Sequence, residues 1–172
     1  MDESGFMLQP VVRRTWAPRG QTPIHYSWDR HDRLSAISAL TVSPTRRRLG
    51  LYFHLQTENI RGEAAASFLV EVRRALGRPL LVVWDRWSVH RKAARLLAED
   101  AARQFDFEYL PPYAPDLNPV EHVWRHTKYA DLANFIPDDL AHLAVEVAES
   151  IHGQRCTSSL LHSFFNHARL EL

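Results

Sequence analysis

The chain predicts an α/β fold, a mixed sheet with helices on both faces. Three observations predict it. Strand-like and helix-like segments come in the order three strands, helix, strand, helix, strand, helix, and that order suits a sheet covered on both sides. Leu80 to Trp84 is a short continuous apolar run, the pattern of a strand buried on both faces. Ala65, Phe68, Leu69, Val72 and Leu76 recur at the spacing of an amphipathic helix.

Taken in order, the opening Asp2-Glu3-Ser4-Gly5-Phe6 supplies the first strand. Residues 34–43 read as the second, ended by Pro44, and residues 49–56 as its hairpin partner, with Arg46-Arg47-Arg48 at the turn. A helix over 62–76 is stopped by Gly77-Arg78-Pro79. The apolar strand ending at Trp84 follows, then a helix over 91–103 and a strand from Phe105 to Leu110. A proline-rich loop leads to helices near 119–130, 137–152 and 157–168.

At 172 residues this is one domain with a sizeable core. Its 45% hydrophobic and 24% charged residues are ordinary for a globular chain. Cys156 is the single cysteine, so no intrachain disulfide forms and no cysteine cluster for zinc exists. No run approaches the roughly 18 apolar residues of a membrane span, and the start lacks the basic and apolar regions of a signal peptide. A cytoplasmic protein is the expectation. The net charge of +1 does not announce a nucleic-acid binder. All basic residues except Lys92 and Lys128 are arginines. Arginine suits bidentate phosphate contact, and a GC-rich genome accounts for the same bias.

Three acids stand in distinctive settings. Asp85 ends the run Pro79-Leu80-Leu81-Val82-Val83-Trp84-Asp85, and Glu121 closes Leu110-Pro111-Pro112-Tyr113-Ala114-Pro115-Asp116-Leu117-Asn118-Pro119-Val120-Glu121, with thirty-five residues between the two acids. Asp2 opens the chain. Carboxylates on separate elements can hold hard divalent cations such as Mg²⁺, and a pair of such ions serves in-line displacement at phosphorus.

At these motifs, together with Trp84-Asp85-Arg86-Trp87-Ser88-Val89-His90, the chain resembles the catalytic domain of a DDE transposase, from the bacterial insertion-sequence branch of the mariner superfamily. The resemblance runs over nearly the whole chain. It implies an RNase H-like three-layer fold with a mixed five-stranded sheet. It also implies metal-dependent cleavage and strand transfer of DNA at insertion-sequence ends. Asp2, Asp85 and Glu121 would hold two Mg²⁺ or Mn²⁺ ions. DNA is the implied partner, in a homodimeric synaptic complex. Relatives carry an N-terminal helix-turn-helix region and more of the first strand than the single residue preceding Asp2 here. The expectation is therefore a truncated first strand and weak, unselective DNA binding. An upstream reading-frame product would supply the missing domain, or the chain is an inactive remnant. A stand-alone RNase H-like nuclease is a further alternative.

Other residues keep two readings each. Asn118-x-x-Glu121 fits a capping box with Pro119 in the first helical turn, and Glu121 can serve metal as well. Arg125 and Lys128 share a helical face with Glu121, either as an ordinary ion pair or as a strip that grips DNA phosphates. Asp85 can cap the next helix. Arg86 and His90 are candidate DNA contacts, and the resemblance gives His90 a second role as partner of the carboxylates. His122 and His126 read as surface or DNA-facing residues. Asp116 is a turn former or an aid to the metals. Tyr113 and Trp87 stack on unpaired bases or pack at the rim.

Overall fold

The computed structural model describes the chain apart from His25, residues 27–31 and Ala102, and apart from the side chain of Asp100. Among the described residues, five strands and five α-helices follow in the expected order: β1 (Asp2–Met7), β2 (Arg33–Val42), β3 (Leu49–Gln56), α1 (Gly62–Leu76), β4 (Leu80–Trp84), α2 (Ser88–Ala101), β5 (Phe105–Tyr109), α3 (Pro119–His126), α4 (Leu140–Cys156) and α5 (Ser158–His167). Ala102, within the helix expected over 91–103, lies outside the described residues.

Hydrogen bonding divides the strands into two ladders. β1, β2 and β3 form an antiparallel sheet, with Asp2 opposite Ser38 and Leu40 opposite Leu51. β4 and β5 form a parallel pair, Trp84 opposite Tyr109. The expected five-stranded sheet is thus present as three plus two. The Met1 amine spans the seam, donating to the Val83 carbonyl oxygen at 3.1 Å.

β2 explains why the molecule has two cores. Successive side chains of a strand point to opposite faces. Ile37 and Ala39 face a cluster with α1, α2, Val82, Trp84 and Phe105. Leu34 and Ala36 face a second cluster with Phe6, Leu51 and the apolar sides of α3, α4 and α5. One strand serving both cores must be apolar or small throughout, as Leu34 to Leu40 is.

Two local expectations are corrected. β4 is buried on one face only: Val82 and Trp84 are buried, whereas Leu81 is 64% and Val83 44% exposed. Among the described residues no helix covers that face, so an apolar run did not imply two covered faces. The second helix starts at Ser88 rather than residue 91, because the Trp87 carbonyl already accepts from the Arg91 amide. The third helix changes character as well. After His126 it widens into a π turn, Thr127–Asp131, closed by the Leu132 amide on the Thr127 carbonyl at 2.9 Å. Among the described residues no helix is long and apolar enough to cross a membrane.

Candidate active site

β1 distributes its residues between two neighbourhoods. Asp2 and Ser4 face α3 and its π turn. Asp2 Oδ2 accepts from Trp124 Nε1 at 3.1 Å, and Ser4 Oγ from Lys128 Nζ at 2.7 Å. Glu3 points the other way. Its Oε2 lies 2.7 Å from His90 Nε2.

Asp85 follows the last residue of β4. Its Oδ1 accepts the Trp87 amide at 2.8 Å and lies 2.6 Å from His90 Nδ1. The amide contact is the turn expected of an Asp at this place. The Asp85 side chain remains 54% exposed. His90 is fully buried, with its ring stacked 4.8 Å from that of Trp84. Burial pulls its pKa down, but the hydrogen bond and charge of Glu3, aided by Asp85, outweigh burial and leave it raised. A protonated ring with one N–H toward each carboxylate satisfies this geometry. His90, expected as a DNA contact or as a partner of the carboxylates, is buried between Asp85 and Glu3 and within hydrogen-bond reach of both.

Glu121 sits in the first turn of α3, where the helix dipole favours a carboxylate. The capping box is only half formed. Asn118 Oδ1 accepts the Val120 amide at 3.2 Å, but the Asn118 amide donates to the Pro115 carbonyl, the partner a box would have reserved for Glu121. Asn118 and Pro119 thus set the start of the helix, and the Glu121 carboxylate is exposed and not committed to the cap.

The three acids share one electrostatic neighbourhood. Burial, and then the negative charge of Glu121, push Asp2 up to about 7. The Met1 amine is pulled down by burial and supported by Asp2, Glu3 and Asp85. Among the described residues, no three His, Cys, Asp or Glu side chains are closed up tightly enough to hold a metal ion. The donor chemistry nevertheless fits a hard cation. All three candidates are carboxylates, the ligand type Mg²⁺ and Mn²⁺ take. A buried acid beside a second acid is also stabilised in its charged form by a cation between them.

A cleft of about 370 Å³ opens beside Glu121, with Ser4, Asp116, Arg125, Lys128 and Tyr129 in its walls. Lys128 is half-buried, with Nζ 5.1 Å from the Phe6 ring centroid. Burial lowers its pKa, against support from Glu121 and Asp2. Arg125 is exposed, as the strip reading expects. Asp116 lies exposed in a short 3-10 turn, Pro115–Leu117. Arg86 lies over the Tyr109 ring, 5.9 Å from its centroid. Tyr113 is fully exposed at a left-handed φ of 57°, and Trp87 is 48% exposed. His122 and His126 do not simply face outward. Both rings pack against Phe164 of α5, at 6.3 and 6.1 Å between centroids. Burial lowers the His122 pKa, followed by the charges of His167 and Arg125.

Sequence reasoning missed Glu3, Ser4 and Trp124. A signal existed for Trp124. It lies three residues after Glu121 and one before Arg125, on the stripe that Glu121, Arg125 and Lys128 share.

The chain thus has an RNase H-like α/β frame, with one acid on a strand, one at a strand end and one at a helix start. The chain belongs to the DDE superfamily endonucleases, whose family model matches residues 1–143. Dependence on divalent metal ions goes with that family in general. The fold is similar to that in the crystal structure of the Mos1 strand transfer complex, with a TM-score of 0.63 and 13% identity over 97% of this chain and 49% of that one. It is similar also to the Mos1 transposase paired-end complex with left transposon end, with a TM-score of 0.65 and 15% identity over 98% of this chain and 50% of that one. The chain therefore spans about half the length of these transposase chains. No curated protein matches it.

Proposed function

We propose that this domain is the catalytic part of a DNA transposase, cleaving strands at the ends of a mobile element and joining them to target DNA. The observation that carries the proposal is the shared setting of Asp2 and Glu121. A strand and a helix start bring two acids close enough for one to raise the pKa of the other. Folding gains nothing from that repulsion, whereas a cation relieves it.

Asp2, Asp85 and Glu121 are the residues that would hold Mg²⁺ or Mn²⁺, two ions in this reading. When bound, such ions supply the positive charge that favours attack by water or a 3′-hydroxyl at phosphorus and stabilises the leaving oxygen. The rest of the chemistry is positioning. His90 fixes Asp85 and Glu3 in one orientation. Trp124 fixes Asp2, and Asn118 with Pro119 aims the α3 start. Arg125 and Lys128 line the same cleft as Glu121 and offer positive charge to a phosphate backbone. Arg86, next to Asp85 in the chain, adds a further cation for the DNA backbone, and the exposed rings of Tyr113 and Trp87 are suited to stacking on bases. A DNA duplex and a second transposase copy are the partners this reading requires. The Mos1 complexes, a strand transfer complex and a paired-end complex, support it by likeness of fold.

The test is Mn²⁺-dependent nicking and strand transfer on a labelled duplex. Glu121→Gln and Asp85→Asn should each lower the rate at least about a hundredfold, the scale on which loss of charge stabilisation at a reacting centre is felt. Full activity in Glu121→Gln would refute the assignment. Joined products separate a transposase from a nuclease that only cuts.

A further inference from the structure

We infer that the seam between α3 and α5 holds a second cation site, of the transition-metal class typified by Zn²⁺, built on His122 and His167. This site is separate in chemistry from the carboxylate site, because its donors are imidazole nitrogens.

Three observations carry it. The His122 and His167 ring centroids are 5.4 Å apart, with the planes tilted by 46°. Two imidazoles on one tetrahedral ion, each bonding at about 2.0–2.1 Å, bring their centroids to roughly 5 Å apart. The His122 Nε2 is buried and makes no hydrogen bond. A buried polar atom without a partner costs stability, and a lone pair there is satisfied by a metal ion as well as by a proton donor. The third observation concerns His167. Its Nδ1 lies 2.7 Å from the Ser163 carbonyl oxygen, which can only accept, so Nδ1 carries the proton and Nε2 the lone pair. A ligating His whose other nitrogen donates to a backbone carbonyl is the usual support for a metal ligand.

Packing holds the pair ready. The His122 ring stacks on Phe164, one helical turn before His167 and on the same face of α5. His167 is exposed, so an ion has a path in from solvent. The two nitrogens leave two tetrahedral positions for water, since among the described residues no third His, Cys, Asp or Glu completes the set. An ion there ties α5 to α3, which carries Glu121 in its first turn.

The experiment is calorimetric titration of the full chain with ZnSO₄, without an affinity tag and in a Cys156→Ala background. That background removes a competing pair, since Cys156 Sγ lies 3.6 Å from His152 Nε2. The chain should bind one Zn²⁺ that survives Glu121→Gln and Asp85→Asn. His167→Asn and His122→Asn should each weaken that binding at least tenfold. His167 is exposed, so its variant separates ligation from folding. Co²⁺ should give a d–d absorption band that His167→Asn abolishes. Zn²⁺ binding unchanged in both His variants, binding lost with the carboxylates instead, or no binding at all would overturn the inference. None of these outcomes bears on whether the carboxylates cut DNA.

Discussion

Asp2 is the residue whose environment most clearly works against the metal-free fold. Its carboxyl is raised to about 7, by burial first and Glu121 second, from an ordinary unfolded value near 3.8. A folded pKa above the unfolded one means the native state holds the proton more tightly. Its contribution is therefore fully present below about 4 and is lost as pH rises through about 7. With chelator present, Asp2→Asn should melt higher than the parent at pH 8, and the gap should close by pH 4. A melting difference independent of pH would show that Asp2 ionises freely. Lys128 is a second residue with a measurable role. Lys128→Gln should weaken DNA binding uniformly across sequences and reduce the salt slope by about one. An unchanged slope would remove Lys128 from the phosphate contacts. The placement of Asp85 at a strand end and of Glu121 at a proline-set helix start was legible in the sequence, because each stands in a rigid local context. The Glu3–His90 contact was not, because the pair lies 87 positions apart and no local pattern announces a partner so far along the chain.

At the scale of elements, β4 teaches most. An apolar run was read as a strand covered on both faces, yet only Val82 and Trp84 are covered. Val and Leu suit a strand whether or not a second layer lies over it, so composition could not decide. The asymmetry predicts asymmetric mutants. Trp84→Ala, at a fully buried ring stacked on Phe107 and His90, should cost about 3–5 kcal/mol. Leu81→Thr on the open face should stay within about 0.5 kcal/mol. Denaturant titration reads both, and comparable losses would mean the open face is covered in solution. Helix α1 was legible to the residue, since its amphipathic spacing ends at Gly77, which adopts the left-handed cap. The start of α2 was displaced because Trp87 and Ser88 carry no apolar periodicity of their own.

Across the whole molecule, the order of elements was legible and the division of the sheet was not. Order follows from periodicity, but which strand edges meet is settled by pairing far apart in sequence. The two ladders meet at the Met1–Val83 hydrogen bond and through β2, whose opposite faces enter both cores. A strand common to both cores cannot leave one without disturbing the other. Thermal unfolding should accordingly be a single transition, coincident by near-ultraviolet and far-ultraviolet circular dichroism. Two separated transitions would mean the cores fold independently. The same arrangement explains why the site is coupled to global packing: Asp2 and Glu3 project from β1, which is paired to β2 along its length.

The π turn at Thr127–Asp131 bears on which side chains can share a face. A π turn holds one residue more than the α-helical turn it replaces, so side chains beyond it are offset by roughly 100° from their places on an uninterrupted α-helix. Thr127 is buried and anchored by the Gln154 amide at 2.7 Å, which fixes where the surplus is taken up.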